Sequence, residues 1–207
     1  DHCLDQSPVV PAAAYMEQAM AVARSVFGEG QHALSNLSIQ QALVLNEDQR
    51  RVVQVQVGPD LRGERTFEVH SRPATGDDDA SDAWTLHASG TLHNRAGADC
   101  SLGRSDLNEI ESRMSDKIGG KPFYDLLAGC GLQYGPMFQV VAELQTGSGE
   151  CLSRLELPDA LQQELADDVL HPAVMDVCLQ SIAGVVYDSE TEAISDLVLP
   201  IHAEQVR

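Results

Sequence analysis

Residues 170–187, "LHPAVMDVCLQSIAGVVY", form an apolar run interrupted by one carboxylate, Asp176, and one amide, Gln180. Pro172 suits a first helical turn, where its missing N–H would have had no intrahelical partner. From there Val174, Cys178, Ile182 and Val185, with Met175, Leu179 and Val186, put apolar side chains on nearly every side, so the helix reads as enclosed by other structure. Asp176 and Gln180 are four apart and share one helical face, about 40° from each other by the ~3.6-residue period. An ionised carboxylate is costly in such surroundings. Desolvation raises its pKa until the acid is held protonated and can donate a proton near neutral pH. The other reading is a structural acid satisfied by backbone donors or an Arg, and the helix alone leaves both standing.

A second apolar helix is predicted near the other end. "PAAAYMEQAMAVARSVFG" (11–28) opens on Pro11 and stops at Gly28, and its few polar positions, Glu17, Gln18, Arg24 and Ser25, again predict near-complete enclosure. Strand patterns follow at "RVVQVQV" (51–57), "RTFEVHS" (65–71) and "WTLHASGTLH" (84–93). In the last, Trp84, Leu86, Ala88 and Leu92 face one way and Thr85, His87, Ser89 and His93 the other, as in a half-buried strand. "ATGDDDASD" (74–82) reads as a solvated acidic loop and "NRAGADCSLGRSD" (94–106) as a linker. Beyond it come helical pieces near 107–115 and 121–130, a turn at "QYGPMF" (133–138), strands near 137–146 and 150–157, and a strand at "DLVLPI" (196–201). The chain thus divides into modules 1–94 and 107–207 joined by a linker at 95–106. Each module is one apolar helix with amphipathic strands, an α+β pattern in which a sheet curls around a central helix.

With 207 residues, 43% of them hydrophobic, the chain suffices for one sizeable domain or two small modules sharing a core. A formal net charge of −19, from 32 acidic and 13 basic residues with no local basic patch, argues against nucleic acid and anionic membrane as partners. No apolar run approaches the ~20 residues that span a bilayer, and no signal sequence opens the chain, so a soluble, cytoplasmic setting is expected. Five scattered cysteines predict reduced thiols rather than a disulfide framework or zinc site. His32, His70, His87, His93, His171 and His202 lack metal-ligand spacing, and nucleotide-binding glycine motifs are absent, so neither metal nor nucleotide is expected. His2 lies nine residues before Pro11. There it can neighbour the N-terminus of the first helix, whose free N–H groups polarise a carbonyl oxygen while a neutral imidazole removes a proton from the adjacent carbon. Taken singly, a terminal His also reads as an ordinary surface residue.

Three stretches, "DHCLDQSPVVP", "YGPMF" and "HPAVMDVCLQ", resemble in order and separation the HxxxGxxxxP, YGPxF and DxxxQ motifs of dehydratase domains from modular polyketide synthases. "FEVHSRP" and "WTLHASGTL" resemble that family's central strands. The resemblance implies a double hotdog fold, two curled sheets each wrapping a long helix, with one active site between the halves. It implies His2 as the base, Asp176 as the acid that protonates the leaving β-hydroxyl, and Gln180 as the partner that orients it. Tyr134 would line the site, Gly135 and Pro136 would shape the turn presenting it, and Pro11 would set the N–H of Ala12 to polarise the thioester carbonyl. The implied reaction is dehydration of a β-hydroxyacyl thioester to an α,β-unsaturated one during chain extension. The substrate arrives on the phosphopantetheine arm of an acyl carrier protein, with no cofactor of the domain's own. Acyl carrier protein and neighbouring synthase domains are the implied partners, and a homodimer is allowed.

Relatives with altered motifs imply alternatives: double-bond isomerisation, epimerisation, conjugate addition, or a non-catalytic scaffold. Gln6 stands where the motif has glycine, and beside the family's flanking strands the chain looks trimmed at both ends. For one substrate to reach both groups, His2 and Asp176 should lie within roughly 8 Å.

Overall fold

The computed structural model describes residues 2–46, 49–74, 83–94, 105–165, 171–194 and 199–206. The first elements are β1 (His2–Leu4), β2 (Ser7–Pro8), α1 (Ala12–Phe27), β3 (His32–Ile39), β4 (Arg51–Val57), β5 (Glu64–Pro73) and β6 (Thr85–Asn94). They are followed by α2 (Leu107–Glu111), β7 (Asp116–Gly119), α3 (Gly120–Gly129), β8 (Leu132–Tyr134), β9 (Val141–Gly147) and β10 (Glu150–Leu155). The last are α4 (Asp159–Glu164), α5 (Pro172–Gln180), β11 (Tyr187–Asp188), β12 (Ala193–Ile194) and β13 (His202–Val206). The chain packs into two compact units, one comprising Ser7–Asp99, Asp168–Pro172 and Pro200–Arg207, the other Asp1–Gln6, Cys100–Asp167 and Ala173–Leu199. The modules predicted from sequence run in chain order. The compact units instead exchange their ends.

In the first unit an antiparallel sheet in the order β13-β3-β6-β5-β4 carries α1 against β3 and β6. The helix begins after Pro11 and stops at Gly28, whose φ of 89° suits glycine and whose N–H donates to the Arg24 carbonyl at 3.0 Å. Its buried residues, Ala12, Ala13, Tyr15, Met16, Ala19, Met20 and Ala23, recur at helical spacing along one face. Ala21, Arg24, Ser25 and Val26 are exposed, so α1 is a one-sided helix and not the enclosed one expected. Facing residues Ala33, Leu34, Leu37, Phe67, Val69, Ala88 and Leu92 complete a core of apolar side chains. Pairing slips at Ser35/Ser38 and Val69/His70, and such bulges bend a sheet.

The first bulge holds Asn36 at φ 52° and breaks the period of two, which is why "HALSNLSI" shows no strand pattern in the sequence. β6 departs from the expected half-burial at His87, which is buried. Its Nε2 bonds Ser71 Oγ at 2.6 Å and its Nδ1 the Gln41 carbonyl at 2.9 Å, so a polar side chain is accommodated inside.

The second unit contains the antiparallel sheet β10-β9-β7, the pairs β1–β8 and β11–β12, and a core of Ile118, Phe123, Tyr124, Leu127, Leu132, Val140, Val141, Leu144, Leu161, Ala173 and Val177. Two expected elements are shorter here. The helical piece near 107–115 stops at Glu111 and gives way to β7, and the strand near 137–146 begins only at Val141, after the turn in which Phe138 N–H donates to the Gly135 carbonyl at 2.9 Å.

The helix from Pro172 also ends early. At Gln180 it tightens into a 3₁₀ turn, Ser181–Val185, in which Gly184 lies so close to Leu144 and Cys151 that a Cβ would come within 2.8 and 3.0 Å of them. The buried face of α5 is Ala173, Asp176, Val177 and Gln180, while Cys178 is exposed and Ile182 and Val185 are 42% and 43% exposed. The expected enclosure therefore fails on the apolar side and holds on the side that carries the acid. Of the predicted strand at 196–201, positions 196–198 lie outside the described residues, and 199–201 are not strand. Most of the acidic loop and of the linker, 75–82 and 95–104, likewise lie outside them.

Candidate active site

β1 and β8 bring the His2 and Tyr134 segments together. Their antiparallel register sets His2 directly opposite Tyr134, Cys3 opposite Gln133 and Leu4 opposite Leu132. The His2 ring meets Tyr134 edge-on at a centroid distance of 5.3 Å and Phe138 at 5.9 Å. From α5, Asp176 points into the same place, with Oδ1 3.9 Å from His2 Nε2, and the two side chains are 12% and 6% exposed for His2 and Asp176 respectively. The separation lies inside the roughly 8 Å that a shared substrate requires.

The turn after β1 explains the odd residue in the first motif. Asp5 and Gln6 both adopt left-handed backbone, at φ 46° and 66°. Glycine enters that region freely and other residues do so at a cost, which is a physical reason for a glycine at position 6 of such a turn. Gln6 keeps the conformation, its N–H donating to Gln133 Oε1 at 3.1 Å, and its side chain is exposed. The Asp5 N–H donates to the Gly131 carbonyl at 2.8 Å, so β1 is tied to the approach to β8 at both of these residues.

Asp176 is 4% exposed. Burial raises its pKa, while the Gln180 amide and the His2 charge pull the other way without overcoming it. Gln180 Nε2 donates to Asp176 Oδ2 at 2.9 Å and to the Phe138 carbonyl at 3.2 Å. Burial also raises the Tyr134 phenol, with the neighbouring Asp176 charge acting in the same direction. One further side chain belongs to the cluster, and no sequence motif marks it. Tyr124, on α3, lies 3.0 Å through its hydroxyl from Gln180 Oε1, the Phe138 carbonyl and the Val141 N–H. "KPFYDLLAG" reads as an ordinary amphipathic segment, and only burial of the hydroxyl distinguishes Tyr124 from a core aromatic.

His2, Tyr134, Asp176 and Gln180 thus converge in one unit, with Gly135 and Pro136 in the turn that follows Tyr134. Pro11 and Ala12 stand in the other unit, where Pro11 caps α1 with φ −70° and ψ 157°. Among the described residues no group of three or more His, Cys, Asp and Glu side chains is arranged to hold a metal ion, and no helix is long and apolar enough to cross a membrane.

Residues 103–207 match the family described as the polyketide synthase dehydratase N-terminal domain, and residues 1–72 the one described as the polyketide synthase dehydratase domain. The chain belongs to the polyketide synthase dehydratase family. The spectinabilin polyketide synthase system protein NorA of Streptomyces orinoci is 33% identical over 88% of the dehydratase chain and 9% of its own length. Among solved structures, a trans-AT polyketide synthase dehydratase domain from Brevibacillus brevis is 27% identical, with a TM-score of 0.85 over 99% of this chain and 70% of that one. An inactive Asp-to-Asn mutant of the CurK dehydratase is 25% identical, with a TM-score of 0.84 over 99% of this chain and 68% of that one. The dehydratase chain spans only 2% to 9% of the length of the curated synthases it matches. Its fold is the α+β double hotdog that the three motifs implied.

Proposed function

We propose that this dehydratase removes water from a β-hydroxyacyl thioester carried on the phosphopantetheine arm of an acyl carrier protein, giving the α,β-unsaturated thioester during polyketide chain extension. The observation that carries the reading is the 3.9 Å approach of His2 Nε2 to Asp176 Oδ1 in a buried cluster of a dehydratase-family chain. Neutral His2 takes the proton from the α-carbon. The carbon–hydrogen pair becomes the new double bond, the bond to the β-hydroxyl breaks, and Asp176 supplies the proton that lets the oxygen leave as water.

His2 ends with one proton more and Asp176 with one fewer, and a transfer between two groups so close restores both. The raised pKa of Asp176 suits an acid that must stay protonated until the hydroxyl departs. Tyr134 and Phe138 wall the imidazole with apolar surface, Gln180 orients the acid, and Gly135 and Pro136 shape the turn between them. The N–H of Ala12, at the start of α1, is assigned to the thioester carbonyl, because the first N–H groups of a helix have no intrahelical partner. The two units act as a single functional domain within a multidomain cytoplasmic synthase, with the acyl carrier protein and neighbouring domains as partners and no cofactor of its own.

The test is incubation with 3-hydroxyacyl carrier protein of both configurations, followed by mass spectrometry of the acyl arm. Loss of one water from one stereoisomer is the expected result. Unchanged mass with a moved double bond or an inverted centre would replace dehydration by isomerisation or epimerisation, and a folded sample with no turnover would leave a scaffold.

A further inference from the structure

Buried hydrogen bonds leave each atom few choices, and around Gln180 they favour one assignment. The Gln180 side chain is surrounded by Asp176 Oδ2 at 2.9 Å, the Phe138 carbonyl at 3.2 Å and the Tyr124 hydroxyl at 3.0 Å. The Phe138 carbonyl can only accept, so it must face the amide nitrogen, which turns Oε1 towards Tyr124. The Tyr124 oxygen accepts from the Val141 N–H at 3.0 Å, and its single proton has two acceptors at 3.0 Å, the Phe138 carbonyl and Gln180 Oε1; the carbonyl is already served by the Gln180 amide nitrogen, so the proton goes to Oε1. With Oε1 held in this way, the second amide proton falls on Asp176 Oδ2. That oxygen accepts, and Oδ1, the atom facing His2 at 3.9 Å, is left to carry the acid's proton.

We propose that Tyr124 is a positioning residue for the proposed dehydration: by locking the Gln180 amide it decides which oxygen of Asp176 carries the transferable proton. The inference rests on the dehydratase reading given above. Burial holds the Tyr124 phenol protonated, pushing its pKa up to about 12, so the donor persists over the whole range in which a hydrolyase of this kind works. Val141, in β9, and Tyr124, in α3, are both buried, so the anchor for the amide is the core of the unit itself. No substrate contact by Tyr124 is needed.

Tyr124→Phe tests this by removing one oxygen. The expected result is a fall in kcat of about 10-fold or more with KM within about 2-fold, because the acid is misoriented while binding surfaces stay in place. The alkaline limb of the pH–rate profile should move upward, since Asp176 loses an ordered donor that favours its ionised form. Gln180→Ala and the double variant complete a cycle: a residue acting through Gln180 adds little once Gln180 is gone, so additive losses overturn the proposal. Unaltered kcat and pH profile in a folded Tyr124→Phe variant overturn it as well.

If that variant does not fold, nitrogen-labelled parent protein supplies the answer. The Gln180 side-chain amide protons should be slow to exchange, and amide protons exchanging as fast as those of surface glutamines would sink the idea. Parent protein without dehydration would instead defeat the functional reading, which the exchange measurement does not depend on.

Discussion

Asp176 keeps a carboxyl group in surroundings that oppose its charge, and its pKa direction fixes what a substitution does. Because the folded pKa lies above the unfolded value, the stability this group contributes is fully present below about pH 4 and is lost as the pH rises through the folded pKa. Asp176→Asn carries no such dependence. Thermal unfolding should place the variant within a few degrees of the parent near pH 5, with the difference shifting in the variant's favour at higher pH. Turnover should fall at least about a hundredfold, since an amide has the shape and no transferable proton. Near-parent turnover would remove Asp176 from the chemistry.

A second residue-scale expectation concerns Gln6, at φ 66°. Gln6→Gly should relieve the left-handed backbone and stabilise the protein by about 0.5–1 kcal/mol, or about 1–4 °C in calorimetry. No gain would mean that the turn is not strained. Asp176 and Gln180 were legible because four residues along a helix is a fixed geometry. Tyr124 was not, because a tyrosine between Phe123 and Asp125 looks the same whether its hydroxyl meets water or an amide.

Elements were legible where the period ran unbroken. α1, β4, β5 and β10 follow their sequence patterns and β9 begins four residues late, whereas β3 is hidden by its bulge and the end of α5 by a change to a tighter turn that no composition announces. Enclosure of the helices is not legible for a related reason: apolar residues on every side show what a helix tolerates, and only packing partners decide which side is covered. One close approach does have a sequence marker. Gly120, the first residue of α3, would put a Cβ 2.1 Å from the Val141 carbonyl oxygen, so the absence of a side chain there is what lets α3 lie on β9. Gly120→Ala should cost roughly 1–3 kcal/mol in a denaturant melt and should lower turnover too, because Tyr124 reaches Val141 from the same helix. Gly129→Ala is the matched comparison, with nothing within 4 Å of the added carbon, and should be close to neutral. Equal behaviour of the two variants would show that α3 does not need the close approach.

For the whole molecule, charge was readable from composition and connectivity was not. A net charge of −19 on 207 residues implies self-repulsion in the compact state. Raising ionic strength from about 0.01 M to about 1 M shortens the screening length from roughly 30 Å to roughly 3 Å, so the unfolding temperature should climb by several degrees with sodium chloride. A flat or falling curve would show that the acidic residues are already spread or paired well enough.

The exchange of chain ends lay beyond sequence patterns, because the pairing of β1 with β8 is a matter of register between distant segments. That pairing has a consequence for folding. Gln6 and Gln133 are bonded across 127 residues, and His2 finds its place only once Tyr134 and Asp176 have been made. During folding the β1 segment is thus seated only after closure of a long loop that helical neighbours never have to make. The centre is assembled only when β1 is captured by segments that lie more than a hundred residues further along the chain.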